Sequence, residues 1–334
     1  MADNKEQEHV SYQDIVEAEQ RIRPEARVTP LLCSEVLDRI SGRRVFLKPE
    51  TLQRTGSFKF RGAYNRLQLI PEGERSAGVV ACSSGNHAQG VAAAAGLLGM
   101  QATIVMPQDA PATKIERTKA LGAEVVLYDR DQQDRDQIAK DLCAKRGATL
   151  VHPYEDTGIV AGQGTAGLEM VTQMRAQGVV PDAVLCCTGG GGLSSGVAIG
   201  VEHGFANTVL VTCEPEGFDD YARSLAKGER VANKRFGGSV CDAVLTPTPG
   251  KISFDILKDR RVASVVVSDE EALRAVAFAF TELKLVVEPG GAVALAAVLF
   301  DRLPAEMRSV AVVLSGGNVD ADVMAKALSL PPIA

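Results

Sequence analysis

At 334 residues, with 46% hydrophobic and 4% aromatic content, the chain is long enough for one large or two modest domains on aliphatic cores, which excludes a disordered protein. Lys plus Arg number 36 against 42 Asp plus Glu, a net charge of −6, and no basic run or basic-aromatic stripe offers itself to a phosphate backbone, so nucleic acid is excluded as a partner. The polar, acidic start MADNKEQEHVSYQD lacks the apolar core of a secretory signal, and no apolar stretch reaches the roughly 18 residues of a membrane span, so no membrane partner and a cytoplasmic address are expected.

In chain order, the first strand-length apolar run is RVFLKPE (44–50), followed by TGSFKFRGA (55–63), where Lys59 sits between two phenylalanines after a Thr-Gly-Ser turn. A lysine so placed either snorkels or is reactive. Next come GVVACSS (78–84), a helical pattern over Asn86 to Leu98, ATIVMP (102–107), a helix over Thr113 to Leu121, AEVVLYD (123–129), a helix over Gln137 to Arg146, and ATLVHPY (148–154). The second half adds AVLCCTG (183–189), TVLVTCEP (208–215), VASVVVSD (262–269) and VAVVLSGGN (310–318), with helices over Asp269 to Phe280 and Glu288 to Phe300. Most of the strand runs are continuously apolar, as strands buried on both faces require, and their alternation with helices predicts an α/β fold of βαβ units with mostly parallel sheet.

A single core stops growing near about 250 to 300 residues, so two bodies are expected. The turn-rich joints PEGERSAG (71–78) and HPYEDTGIV (152–160) bracket four strand signals, which gives a small α/β domain at 71–155 inserted into a large discontinuous domain at 1–70 and 156–334. The charged run DRDQQDRDQ (129–137) reads as a solvated loop and helix start. Seven cysteines (33, 82, 143, 186, 187, 213 and 241) lack paired spacing and lie mostly in apolar runs, which fits a reducing compartment and excludes a zinc site.

Ligands of open α/β sheets collect at the carboxyl ends of strands. There, SSGNHAQG (83–90) presents hydroxyls, a glycine and an amide at a helix N-terminus, suited to a carboxylate, with a plain Ser or Asn cap equally open. TGGGGLSSG (188–196) carries four consecutive glycines, costly in entropy unless backbone must approach something closely or adopt positive φ; a phosphate at the helix N-terminus is the obvious guest, and a flexible linker is the weaker alternative. In LSGGN (314–318), Ser315 reaches the same edge and on its own reads as a turn serine. A dinucleotide fingerprint fails, because 189, 191, 194 and 190, 192, 195 both read Gly, Gly, Ser although Glu214 ends a strand as a ribose-binding acid would; no G-x-x-x-x-G-K-[ST] exists either.

These stretches resemble the fold-type II pyridoxal-phosphate enzymes (tryptophan synthase β-like), in the threonine/serine dehydratase and serine racemase branch. The likeness runs from TPLLCSEVLD (29–38) through GSFKFRGA, SSGNHAQG, MPQDAPATK, LGAEVV, AGQGTAGLE, TGGGGLSSG and CEPEG to EPGGAVALAA and LSGGN. It implies two open parallel-sheet domains with the cofactor in the cleft between them. Lys59 would form the Schiff base with pyridoxal 5'-phosphate, Phe58 would border it, Asn86 would hydrogen-bond the ring hydroxyl, and the backbone of Gly189, Gly190, Gly191 and Gly192 would cradle the phosphate. Ser315 would face the ring nitrogen, and a neutral hydroxyl there weakens the ring as an electron sink and favours β-elimination over transamination. Desolvation between Phe58 and Phe60 would lower the lysine pKa as such chemistry needs.

The substrate carboxylate would lie on Ser83, Ser84, Asn86 and His87 over the helix N-terminus. Lys59 would remove the Cα proton, and Ser84 stands where a racemase would need a second acid/base. In EPEGFDD (214–220), the resemblance implies Mg²⁺ or Ca²⁺ on Glu214, the main-chain carbonyl of Phe218 and Asp220; an acidic surface loop is the plain alternative. Two positions depart from the family: Ala243 replaces a glycine, and Tyr154 replaces the amide of the racemase branch. The chain stops at LSLPPIA without a further regulatory domain, so isoleucine feedback is not expected. The implied function is an L-threonine/L-serine dehydratase (ammonia-lyase) yielding a 2-oxo acid and ammonia, working as a homodimer or larger homo-oligomer. A serine racemase, or a dehydratase of 3-hydroxyaspartate or phenylserine, is the alternative. The broken fingerprint disfavours a nicotinamide oxidoreductase, and the intact lysine disfavours a non-catalytic binding protein.

Overall fold

The computed structural model describes residues 9–235 and 237–333, and its strands form two sheets. They are β1 (Leu32–Cys33), β2 (Arg44–Pro49), β3 (Val79–Cys82), β4 (Ala102–Pro107), β5 (Glu124–Tyr128), β6 (Thr149–Leu150), β7 (Ala183–Cys187), β8 (Val209–Pro215), β9 (Val262–Val267) and β10 (Ser309–Leu314). One sheet runs β1-β2-β10-β7-β8-β9 and the other β5-β4-β3-β6. Every pairing is parallel except β1 with β2, where Leu32 opposes Leu47 and Cys33 opposes Phe46. The two-residue β1 lies in a stretch too short to carry a periodicity signal, and no sequence expectation covered it.

Period-two alternation divides the larger sheet's side chains between two cores. Val45, Leu47, Leu185, Val312 and Leu314 enter one, together with the wholly buried helix Pro289–Leu299. Phe46, Val184, Cys186, Ala311 and Val313 enter the other. Both faces are covered, which is why the inner strands β7 and β10 read as continuous apolar runs. The outermost strands β5 and β9 are only partly buried.

The smaller sheet places Val79, Ala81, Ile104 and Met106 on one face and Val80, Val105 and Tyr128 on the other. Its first core also takes Phe60, Ala63, Tyr64 and Leu67 from the helix Lys59–Gln68, which precedes residue 71. Arg61 of that helix turns the opposite way, giving two hydrogen bonds to the Glu50 carboxylate at 2.7 and 2.8 Å and meeting Glu169 at 3.2 Å. One short helix is thus packed on the smaller sheet and ion-paired to the larger body. The turns after β3, β7 and β10 all leave carboxyl ends of parallel strands, and they converge on one cavity. Among the described residues no helix is long and apolar enough to cross a membrane.

Candidate active site

The cavity, of about 240 Å³, brings together Lys59, Asn86, the glycine loop and Ser315, along with Phe58, Ser83, Ser84 and His87. Lys59 opens its helix, and its Nζ donates to the Pro153 carbonyl at 3.0 Å and lies 5.2 Å from the centre of the Phe58 ring. Burial pulls its pKa down to about 8, because an ammonium there has lost its water. The wall is not the pair of phenylalanines that sequence suggests: Phe60 points into the smaller core and stacks on Tyr64 with ring centroids 5.5 Å apart. Residues two apart on a helix face different ways, so only Phe58 stays with the lysine.

After β3, the helix Asn86–Leu97 has Gly85 at its N-cap with no side-chain cap bond, so Ser83, Ser84 and Asn86 are not spent on capping. Gly85 N–H donates to Ser83 Oγ at 3.2 Å. Asn86 Oδ1 accepts from Asn318 Nδ2 at 2.7 Å while its Nδ2 donates to Glu288 Oε1 at 2.5 Å, which fixes the amide's orientation. The His87 ring packs away from the turn, with Nε2 2.9 Å from the Val151 carbonyl, and burial with the nearby Lys59 pulls its pKa down to about 3. A carbonyl only accepts, so Nε2 carries the proton and the neutral ring's Nδ1 is an acceptor, unable to donate to a carboxylate. What His87 can offer an anion is its main-chain N–H in the first helical turn.

The glycine loop after β7 turns its carbonyls into the protein. The Gly190 carbonyl accepts from Gly250 N–H and from Tyr221 Oη, each at 3.1 Å, and the Gly191 carbonyl accepts from Ser195 N–H at 2.8 Å. Gly191 has φ 90°, in the left-handed region, and starts the helix Gly192–Gly204. Ser315, nearly buried after β10, holds the loop before Lys59 through its carbonyl, which accepts from Phe58 N–H at 3.1 Å.

The charged cavity residues that the sequence did not single out include Glu288, Lys114 and Arg135. Glu288 is buried, and burial raises its pKa to about 7 against the opposing pull of the Asn86 hydrogen bond. The Glu-Pro start of a wholly apolar helix was its available signal. Lys114 spans to Asp242 at 3.0 Å and Asp320 at 3.5 Å. Arg135 belongs to the run read as solvated loop and helix start, and it stays half exposed while lining the cavity. Tyr154, noted only as a departure, also lines the cavity.

Glu214 at the end of β8 accepts from the N–H groups of Tyr221 and Ala222 at 2.8 and 2.9 Å, and burial beside Asp220 holds its pKa well above the carboxylate range. Asp220 is pushed up to about 7, chiefly by burial; its Oδ1 accepts from Asn233 at 2.7 Å and its buried Oδ2 has no partner among the described residues. The stretch is not an acidic surface loop, since Glu214, Phe218 and Asp220 are all buried. Among the described residues no group of three or more His, Cys, Asp or Glu side chains is placed to hold a metal, so a cation here would need the Phe218 carbonyl and water besides the two carboxylates.

The sequence profile of the family described as pyridoxal-phosphate dependent enzyme matches residues 22–316. An L-threo-3-hydroxyaspartate ammonia-lyase of a Pseudomonas species is 41% identical, the match covering 95% of this chain and 98% of that one. A serine racemase of Schizosaccharomyces pombe is 37% identical, covering 96% and 97%. Among solved structures, a threonine deaminase from T.th. superposes with a TM-score of 0.87 at 44% identity, covering 93% of this chain and 99% of that one.

Proposed function

The chain belongs to the pyridoxal-phosphate dependent enzyme family, with the fold-type II architecture, and from that premise we propose that it is a lyase dehydrating a β-hydroxy amino acid, L-threonine or L-serine, to a 2-oxo acid and ammonia. The observation that carries this reading is Lys59, a half-buried amine at the meeting point of three carboxyl-edge turns, whose pKa desolvation lowers to about 8. The residues fit the cofactor: an amine donating to a carbonyl, a glycine loop whose carbonyls face away, and a neutral serine.

When bound, pyridoxal phosphate supplies an aldehyde that captures an amine and a ring that draws electrons from Cα. Lys59 would hold it covalently, Phe58 would border it and Asn86 would bind its ring hydroxyl. Gly189, Gly190, Gly191 and Gly192 would hold its phosphate at a helix N-terminus, and Ser315 would meet its ring nitrogen. Ser83 and Ser84, with the main-chain N–H groups of Asn86 and His87, would seat the substrate carboxylate. Lys59, as a neutral amine, would take the Cα proton before the β-hydroxyl departs.

A second substrate, 3-hydroxyaspartate, is favoured by Arg135, a half-exposed cation that lines the cavity along with Ser83 and Ser84 and is suited to a second carboxylate. Ser84 keeps serine racemase within the same proposal. For the metal, Mg²⁺ or Ca²⁺ on Glu214, the Phe218 carbonyl and Asp220 is supported by the partnerless Asp220 Oδ2 and the mutual repulsion of the two buried carboxylates. The proposal also covers a division into 71–155 and the rest, a homodimer or larger assembly, and a cytoplasmic address, to which seven free cysteines are suited.

The test measures 2-oxo acid release and product chirality over serine, threonine, 3-hydroxyaspartate and phenylserine. Turnover of at least one with release of ammonia is expected, and Arg135→Ala should lower hydroxyaspartate turnover selectively. A purified protein without a borohydride-sensitive visible band would overturn the reading.

A further inference from the structure

The 152–155 joint lines the site with Pro153 and Tyr154, while His152 and Glu155 hold the joint in place. His152 Nδ1 accepts from Tyr154 N–H at 3.3 Å and Glu155 N–H at 2.8 Å, and its ring meets Tyr154 edge-on at 4.7 Å. Pro153 gives its carbonyl to Lys59. The Glu155 carboxylate accepts from Lys251 N–H and Ile252 N–H at 2.6 and 2.7 Å, holding the helix Lys251–Leu257.

Tyr154 lies against the glycine loop itself. A Cβ added to Gly190 would fall 2.2, 2.3 and 2.5 Å from Tyr154 Cγ, Cδ1 and Cδ2, so the ring rests flat on that residue. A Cβ on Gly192 would lie 3.2 Å from Tyr154 Cβ, and one on Gly250 2.9 Å from Cδ2. Gly250 in turn donates to the Gly190 carbonyl. The ring therefore leaves no room for a side chain at Gly190.

We propose that Tyr154 is a positioning residue for the cofactor phosphate: its ring braces the Gly190 peptide, and its hydroxyl is not required. This rests on the reading that Gly189 to Gly192 hold the phosphate. The brace acts by packing alone, since three ring atoms stand where any side chain at 190 would be, and a peptide packed on a flat ring is held in one position.

The experiment titrates apo-protein with pyridoxal phosphate, and with pyridoxal, which lacks the phosphate, following the visible band for wild type, Tyr154→Phe, Tyr154→Ala, Gly190→Ala and the double variant. Tyr154→Phe should bind pyridoxal phosphate within about two-fold of wild type and Tyr154→Ala at least about ten-fold more weakly. Pyridoxal affinity should change less. The methyl of Gly190→Ala should cost affinity when the ring is present and nothing further in the Tyr154→Ala background. Unchanged affinity in Tyr154→Ala, an equal loss for pyridoxal, or loss in Tyr154→Phe would overturn the brace. Full affinity in Gly190→Ala would instead overturn the phosphate-loop reading beneath it. Should Tyr154→Ala not fold, Tyr154→Leu, branched but without a flat face, carries the same expectations.

Discussion

Lys59 illustrates how burial sets chemistry at a single residue. Its ammonium form has lost water and has, among the described residues, the Pro153 carbonyl and the Phe58 ring in return, so the folded-state pKa falls from 10.5 to about 8. The nucleophile is the deprotonated amine, whose fraction grows as pH rises through the folded pKa. Covalent uptake of pyridoxal phosphate by the apo-protein should therefore accelerate between about pH 6 and pH 8 and level off above. Stopped-flow absorbance measures this, and a flat profile would contradict the assignment. Lys59→Ala should lose the visible band altogether.

At the scale of elements, the helix Asp220–Lys227 depends on a residue outside it. Its first N–H groups, on Tyr221 and Ala222, donate to Glu214 at the end of β8, so a strand-end carboxylate does the work of an N-cap. Glu214→Ala leaves the buried Tyr221 N–H and the part-buried Ala222 N–H without this acceptor, and a loss of about 1–3 kcal/mol in chemical denaturation is expected. Glu214→Gln keeps an acceptor and should lose less. Chelation of a bound cation should lower the melting temperature of wild type but not of Glu214→Ala, which separates the capping role from the metal proposed there.

Over the whole molecule, the two sheets are tied through the helix that begins at Lys59. Arg61 and Glu50 are fully buried and pair with the partly exposed Glu169, and Lys48 joins the cluster through Glu169 at 2.5 Å and the Thr29 carbonyl at 2.8 Å. Removing one member strands charge where water cannot reach it, so Arg61→Met should cost about 3–5 kcal/mol. Lys119→Ala, which breaks an exposed pair with Glu116, should stay within about 0.5 kcal/mol. Denaturant midpoints compare them directly, and equal losses would refute a buried anchor.

The sequence alone determined every strand but β1, the mostly parallel sheets and the three turns that meet at the cavity, though not the helix Thr157–Ala176, because apolar runs, glycine runs and helix starts are set by near neighbours in the chain. It also supplied Lys59, Asn86, Gly189 to Gly192 and Ser315, each lying at a strand end or helix start. Only the tertiary structure decided that Phe60 leaves the lysine, that the His87 ring turns to Val151, and that Tyr154 lies against Gly190. It likewise placed Glu288 against Asn86, 202 residues away in the chain. Such contacts join segments with no local influence on one another, and they exist only once both faces of each sheet are covered and the strand order is fixed.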